Sequence, residues 1–192
     1  MPDPSPETLA FLLSRRSRPA KTLGLPVPDR AALDPILTAA ARTPDHGKLE
    51  PWRFIVLERG ALERLAALCG ERAEALGLDA DARDKAVAQF GAAHLVVAVI
   101  ASPVPSEKVP EVEQTLSAGA VCLALLNAAL AAGWGANWLT GKMALDRPFL
   151  TDGLGLAPHE YVAGFMHLGT ERMAPPERPR PDLGTKVAWV AE

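Results

Sequence analysis

Cysteine is scarce in this sequence. The two present, Cys69 and Cys122, are far apart and outside any C-x-x-C or zinc spacing, which argues against a disulfide framework or a zinc ribbon. Both fall in apolar helical patterns and are expected to be buried free thiols of a reducing compartment. The four histidines, at 46, 94, 159 and 167, have no metal-ligand spacing, and no metal is expected. His94 and His167 lie in strand patterns and read as core or edge residues. A large excess of one charge is also missing. The net charge of −3 offers no field for nucleic acid or an anionic membrane. No G-x-G-x-x-G is present, since Gly133-Trp134-Gly135 lacks the third glycine and precedes a strand, and there is no Walker A loop, G-x-S-x-G elbow or H-E-x-x-H. The stretch MPDPSPETLA has neither a basic start nor an apolar run, so no signal peptide is expected and the expected address is the cytoplasm. The most membrane-like run, Ala118–Trp138, is alanine-rich and glycine-broken. It falls short of the roughly 20 strongly apolar residues of a span and is expected to be a buried soluble helix.

The 192 residues, 48% hydrophobic and 22% charged, suit one globular domain spanning 1–192. Pro6–Arg15 reads as a helix with Leu9, Leu12 and Leu13 on one face. A proline-containing link, 19–28, leads to a second helix ending near Arg42. Asp29 could cap it with Pro35 inside, or Asp34-Pro35 could form its start. Periodicity then predicts a strand at Trp52–Glu58, helices at Ala61–Leu76 and Asp79–Phe90, and a strand covered on both faces at His94–Ala101. A long helix over Glu111–Ala132 follows, then a strand at WGANWLT, a short helix at Asp146–Leu154 and a strand at EYVAGFMHLGT. The segment APPERPRPD, 174–182, cannot donate a regular hydrogen-bond ladder and is expected to be an extended arm. It ends in KVAWV, Lys186–Val190, a strand-like piece suited to completing a neighbour's sheet.

Polar chemistry concentrates in two places. RRSR, Arg15–Arg18, ends the first helix. It reads either as a solvated basic cluster neutralising the helix's negative end or as an anion site, where a hydroxyl between guanidiniums suits a phosphate. The second is RTPDHGKLEPWRF, 42–54, which crowds Arg42, His46 and Lys48 between prolines that stiffen it.

RRS near the N-terminus, the Pro44–Trp52 loop ending P-W, E-x-x-x-S-A-G-A from Glu113, A-A-G-W-G-A-N-W and finally G-F-M-H-L-G-T come in an order and spacing that resemble the FMN-dependent nitroreductase family. The likeness runs from about Pro6 to Thr170. PDH, where the family more usually has P-S-x-x-N, and the compact length resemble its small NAD(P)H nitroreductase subgroup. The resemblance implies an α+β fold, with a central, mostly antiparallel sheet flanked by helices. It also implies an intertwined homodimer with FMN at the subunit interface, the extension 174–192 crossing to the partner subunit. Arg15, Arg16 and Ser17 would contact FMN, with Arg15 and Ser17 nearest the phosphate. Arg42 and His46 would reach the FMN bound mainly by the other subunit, and Trp138, Leu139 and Thr140 would line the flavin. Ala128, Ala129, Leu130, Ala131, Ala132 and Gly133 match a segment assigned to nicotinamide-nucleotide binding.

The implied activity is ping-pong hydride transfer from NADH or NADPH through flavin N5 to nitroaromatic or quinone-like acceptors, with the flavin carrying the chemistry and no side chain as nucleophile. Many members have a lysine where this chain has Pro19, and many place a basic pair on the phosphate after the last strand, where only Arg172 is nearby here. Two alternatives stay open: a flavin carrier or sensor without efficient turnover, and another flavin reaction on the same fold, for which Ala75–Phe90 could form a modest cover.

Overall fold

The protein is described by a computed structural model covering residues 3–192. Met1 and Pro2, the first two residues of the expected domain and of the stretch read for a signal peptide, lie outside the described residues. Helix α1 (Pro6–Ser14) leads through a short turn to the two-residue strand β1 (Leu23–Gly24) and then to α2 (Arg30–Ala40). Strand β2 (Trp52–Leu57) is followed by α3 (Arg59–Ala75), α4 (Ala80–Gly91) and β3 (Val96–Ala101). The chain continues through α5 (Glu111–Ala131), β4 (Gly135–Leu139) and β5 (Tyr161–Glu171). Between the last two strands lie a 3₁₀ turn at Lys142–Leu145 and a wide π turn at Phe149–Gly153, where a short helix was expected.

Every strand pair is antiparallel: β2 with β3, β3 with β5, and β4 and β1 with β5. The expected α+β architecture is therefore present. β3 is the run VVAVIA, buried along its whole length. Because side chains alternate across a strand, it feeds two cores. Val96, Ala98 and Ile100 enter one with Phe90, Phe149 and Phe165, under α3 and α4. Val97 and Val99 enter the other with Ile36, Val121, Leu125 and Met166, under α2 and α5. In the first, Phe90 meets Phe165 edge-on at 5.0 Å and Phe149 at 5.5 Å between ring centres.

Asp29 caps α2, its carboxylate accepting from the Ala32 amide at 2.9 Å, and Pro35 sits inside the helix. A single missing donor so near the start is offset by the cap and by the buried face of Leu33, Ile36 and Ala40. Asp79 caps α4 in the same way. Both cysteines are free and buried, as expected, and burial pushes each thiol up to about 12. Helix α5 is long and apolar enough to cross a membrane, yet Ala118, Val121, Cys122, Leu125 and Ala129 are fully buried in the second core or beside it.

Two buried acids hold guanidiniums by two bonds each. Arg72 reaches Asp146 at 2.7 and 3.1 Å, and Asp146 also accepts from the Phe149 amide at 3.1 Å, fixing the π turn. Arg53 donates to Glu160 at 2.6 and 2.8 Å. Arg53's hydrogen bond holds the Glu160 carboxyl down at about 2, against the opposing effect of burial.

The expected strand at KVAWV does not form within the chain: among the described residues 187–192 join no strand, the Val187 amide turns back to the Leu183 carbonyl at 3.0 Å, and Trp189 is 94% exposed. A strand needs a ladder partner, and this segment joins neither free edge of the chain's own sheet, at β2 or at β4. Conversely, β1 forms inside the link expected to be irregular, because Leu23 and Gly24 meet Glu171 and Thr170 at the far end of β5.

Candidate anion and cofactor site

The RRSR turn lies where α1 ends and the chain runs along β4. The Arg18 amide donates to the Ala136 carbonyl at 2.8 Å, and Asn137 Nδ2 donates back to the Arg18 carbonyl at 2.6 Å. β4 therefore holds the turn by its backbone, leaving the side chains free for other work. Those side chains divide. Arg18 pairs with Glu171 at 3.1 Å. Arg16 directs Nε and Nη2 at the Pro176 carbonyl of the arm, at 3.2 and 2.8 Å. Among the described residues Arg15 meets no acid: Nη2 donates to Ser17 Oγ at 3.3 Å, and Nε is buried without a partner. Burial first, then the charges of Arg180, Arg16 and Arg18, holds the Arg15 guanidinium below the usual arginine range. A desolvated cation among like charges, with an unused donor, is stabilised by an anion that accepts several charge-assisted bonds.

The loop from Arg42 to Trp52 is braced by the first turns of α5. Ser117 Oγ donates to the Pro44 carbonyl at 2.9 Å and accepts from Trp52 Nε1 at 3.2 Å, while His46 Nδ1 pairs with Glu113 Oε2 at 2.7 Å. Asp45 Oδ2 accepts from the Glu50 amide at 2.7 Å. These bonds hold an unusual backbone, with φ of 78° at Gly47, 54° at Lys48 and 48° at Glu50. Left-handed geometry costs a non-glycine residue roughly 1–2 kcal/mol, so the loop keeps its shape through side-chain bonds rather than by default. Arg42 and His46 are exposed. Among the described residues, no hydrogen bond or ion pair joins this loop to the Arg15–Ser17 turn within one chain.

The stretch Trp138–Thr140, at the end of β4, is less uniform than the sequence suggests. The Trp138 indole turns into the second core, donating to the Ala163 carbonyl at 3.1 Å. It lies so close over Gly164 that any side chain there would collide with the ring. Leu139 is half-buried and Thr140 exposed, the Thr140 carbonyl taking a bond from Gln89 Nε2 at 3.3 Å. Of the segment matched to nucleotide binding, Ala128, Ala129 and Leu130 pack in the second core, while Ala131, Ala132 and Gly133 are exposed. Arg172 lies over Gly24, its guanidinium occupying the space a β-carbon would need. His167 is buried, as expected, but its Nε2 has no partner, and burial pushes it down to about 4, so it is neutral. Two cavities, of about 620 Å³ beside Pro103, Gln114 and His159 and about 470 Å³ beside Asp79, Lys85 and Gln89, lie outside the Arg15–Ser17 turn.

Sequence reasoning missed Asn137, Glu171, Ser117, Glu113 and Arg180 as supports. Glu113 and Ser117 carried a signal, because E-x-x-x-S on a helix places both on one face. The others act across long separations that no local pattern reports.

An antiparallel sheet clad by helices on both faces, with a cation-rich turn held against its β4 edge, defines a nitroreductase-like α+β protein. Solved structures share that fold. A nitroreductase-like family protein from Bacillus cereus matches with a TM-score of 0.80 at 20% identity, covering 100% of both chains. A "putative nitroreductase in complex with fmn" from Desulfovibrio desulfuricans matches with a TM-score of 0.74 at 21% identity over 98% of each. The nitroreductase family model matches residues 13–170. Escherichia coli K12 "Putative NAD(P)H nitroreductase YdjA" is 36% identical over 167 residues, 87% of this chain and 90% of that protein. The chain belongs to the nitroreductase family.

Proposed function

We propose that this chain is an FMN-dependent NAD(P)H oxidoreductase that reduces nitroaromatic or quinone-like acceptors as a homodimer. The observation that carries the reading is Arg15: a guanidinium with a buried, unpartnered Nε, set among three other arginines. These residues fit a phosphate monoester such as that of FMN, and the FMN complex of a protein of this fold supports the choice. Bound FMN would supply hydride transfer from NADH or NADPH to the acceptor. Arg15 and Ser17 would hold its phosphate, and Arg18, pinned by Glu171, would keep the turn in place. The loop stiffened by Glu113 and Ser117 would offer Arg42 and His46 to the cofactor held mainly by the partner subunit. Glu113 holds His46 by Nδ1, which would orient the ring and leave Nε2 to face the cofactor. A nicotinamide nucleotide could meet only Ala131, Ala132 and Gly133 of its assigned segment, since the preceding residues pack inward.

The dimer reading rests on apolar surface left uncovered by the single chain. α1 buries no residue, and Leu9, Leu12 and Leu13 are exposed together with Val112, Leu116 and Leu123 of α5 and Trp189 of the tail. Exposed large apolar side chains in this number favour a surface that a second copy covers.

An anaerobic visible spectrum tests the function. The purified protein should show oxidised flavin, and NADPH or NADH should bleach it. A flavin spectrum that persists with both would replace the reductase with a flavin-binding protein. Arg15→Ala should weaken FMN binding by about 1.5–3 kcal/mol, the scale of hydrogen bonds to charged groups. Parental affinity in that variant would remove Arg15 from the phosphate site.

A further inference from the structure

We propose that Gln114 is a positioning residue for His46, acting on it through the segment 103–110 and its one buried side chain, Val109. This role rests on the reading above that His46 faces the cofactor, and it adds to that reading a residue that sits behind the loop.

The segment between β3 and α5 has little to hold it. Prolines 103, 105 and 110 remove three backbone donors. Of residues 102–110, Val109 alone is buried. Pro103, Val104 and Ser106 line the cavity of about 620 Å³, so no close packing backs the segment on that side. Among the described residues, the hydrogen bonds tying 103–109 to the rest of the chain all come from one carboxamide. Gln114, itself buried, accepts from the Val104 amide at 2.8 Å and donates to the Val104 carbonyl at 2.8 Å and the Val109 carbonyl at 3.3 Å. Within the segment, Ser106 Oγ tightens the turn by accepting from the Lys108 and Val109 amides at 3.3 and 3.0 Å.

The clamp reaches the cofactor loop through Val109. A β-carbon on Gly47 would stand 3.5 Å from a Val109 methyl, so Val109 lies against the turn directly after His46. There the backbone runs left-handed, with φ of 78° at Gly47 and 54° at Lys48. A non-glycine residue keeps that conformation only where its surroundings enforce it. Glu113 grips the His46 ring at 2.7 Å, but both side chains are exposed, and water weakens such a pair. The backing of the turn therefore decides where the ring stands. Consecutive residues of a helix point about 100° apart, so Glu113 and Gln114 reach the loop by two routes from a single turn of α5. Glu113 sets which way the imidazole faces, and Gln114 sets its place.

The test uses the full chain and compares the parent with His46→Ala, Gln114→Met and the double variant. Gln114→Met keeps the length of the side chain and loses all three bonds. FMN affinity is measured by fluorescence quenching, and hydrogen–deuterium exchange of the 46–50 amides is followed in the flavin-free protein. His46→Ala and Gln114→Met should each weaken FMN binding about five- to tenfold, the scale of one hydrogen bond. The double variant should bind no more weakly than His46→Ala alone, because the two residues act through one contact. Gln114→Met should also speed exchange at 46–50. If Gln114→Met does not fold, Val109→Ala, which spares the three bonds, is put through the same cycle and should show the same pattern with smaller effects. Parental FMN affinity in Gln114→Met, or a loss of equal size with and without His46, overturns the role of Gln114 and leaves the flavin reading standing. A parent that binds no FMN overturns the flavin reading. Faster 46–50 exchange in Gln114→Met would then keep Gln114 as the brace of His46, and unchanged exchange would overturn both.

Discussion

The α3–α4 side of the sheet and the α1 side solve the burial problem in opposite ways. Under α3 and α4, Phe90, Phe149 and Phe165 close on one another, Leu62 and Leu65 are fully buried, and Asp146 and Glu160 each take two bonds from a guanidinium. That side is finished by one chain. α1 is as apolar in pattern, yet Leu13 is 75% exposed and no residue of the helix is buried. The buried packing is concentrated in the first region, and the second leaves its apolar side chains open. The cation-rich turn sits directly after α1, so the proposed cofactor site is built at the unfinished side.

The comparison can be broken most severely at Phe90. Phe90→Ala removes the ring shared by both aromatic contacts and should cost about 3–5 kcal/mol in chemical denaturation, the range for burying a cavity of that size. A loss under 1 kcal/mol would mean the closed side is not the stability core. Ser117→Ala, between the two regions, leaves Trp52 Nε1 and the Pro44 carbonyl without their shared partner. The cost should be about 1–3 kcal/mol, with increased exchange of the 45–50 amides by hydrogen–deuterium exchange. Unchanged exchange would show that the loop holds its left-handed residues without α5.

Glu160→Gln sharpens the comparison through pH. The Glu160 carboxyl sits at about 2 when folded, against 4.5 ordinarily. A depressed acid stabilises above its unfolded value and loses that contribution as pH falls through the folded one. The parent should therefore lose more stability than the variant between about pH 4.5 and 2. Parallel profiles would assign acid sensitivity elsewhere. Leu12→Asp, on the open side, should alter stability of the isolated chain by about 0.5 kcal/mol or less while shifting sedimentation toward the monomer. A stable dimer in that variant would remove α1 from the interface.

Much of this frame was legible in the residues. VVAVIA had to be a strand covered on both faces, and Asp79 had to open a helix. α2 was legible only as a choice, and the Asp29 carboxylate on the Ala32 amide decided it. β1 was hidden because two residues carry no periodicity, and their partner is the end of β5. RRSR was legible as a cluster, but not its division of labour. Arg18 is defined by Glu171 and Arg16 by Pro176, and such long-range counterparts leave no trace in local spacing. Trp138 read as part of the flavin-lining stretch, and nothing in its local pattern announces that its partly buried indole packs over Gly164.

The complete burial of β3 has a consequence for the chain as it is made. Six apolar residues without a charge are a sticky segment whenever they are unpaired. β2 precedes β3 and can pair with it as soon as both exist, with α3 and α4 between them. β5, which covers the other edge, is synthesised only after α5 and β4. Until then β3 presents an open ladder, and the nearest interruptions are Pro103 and Pro105 just downstream. The strand best protected in the finished molecule is thus the one the growing polypeptide leaves half-paired, and its safety during synthesis depends on β2 arriving first.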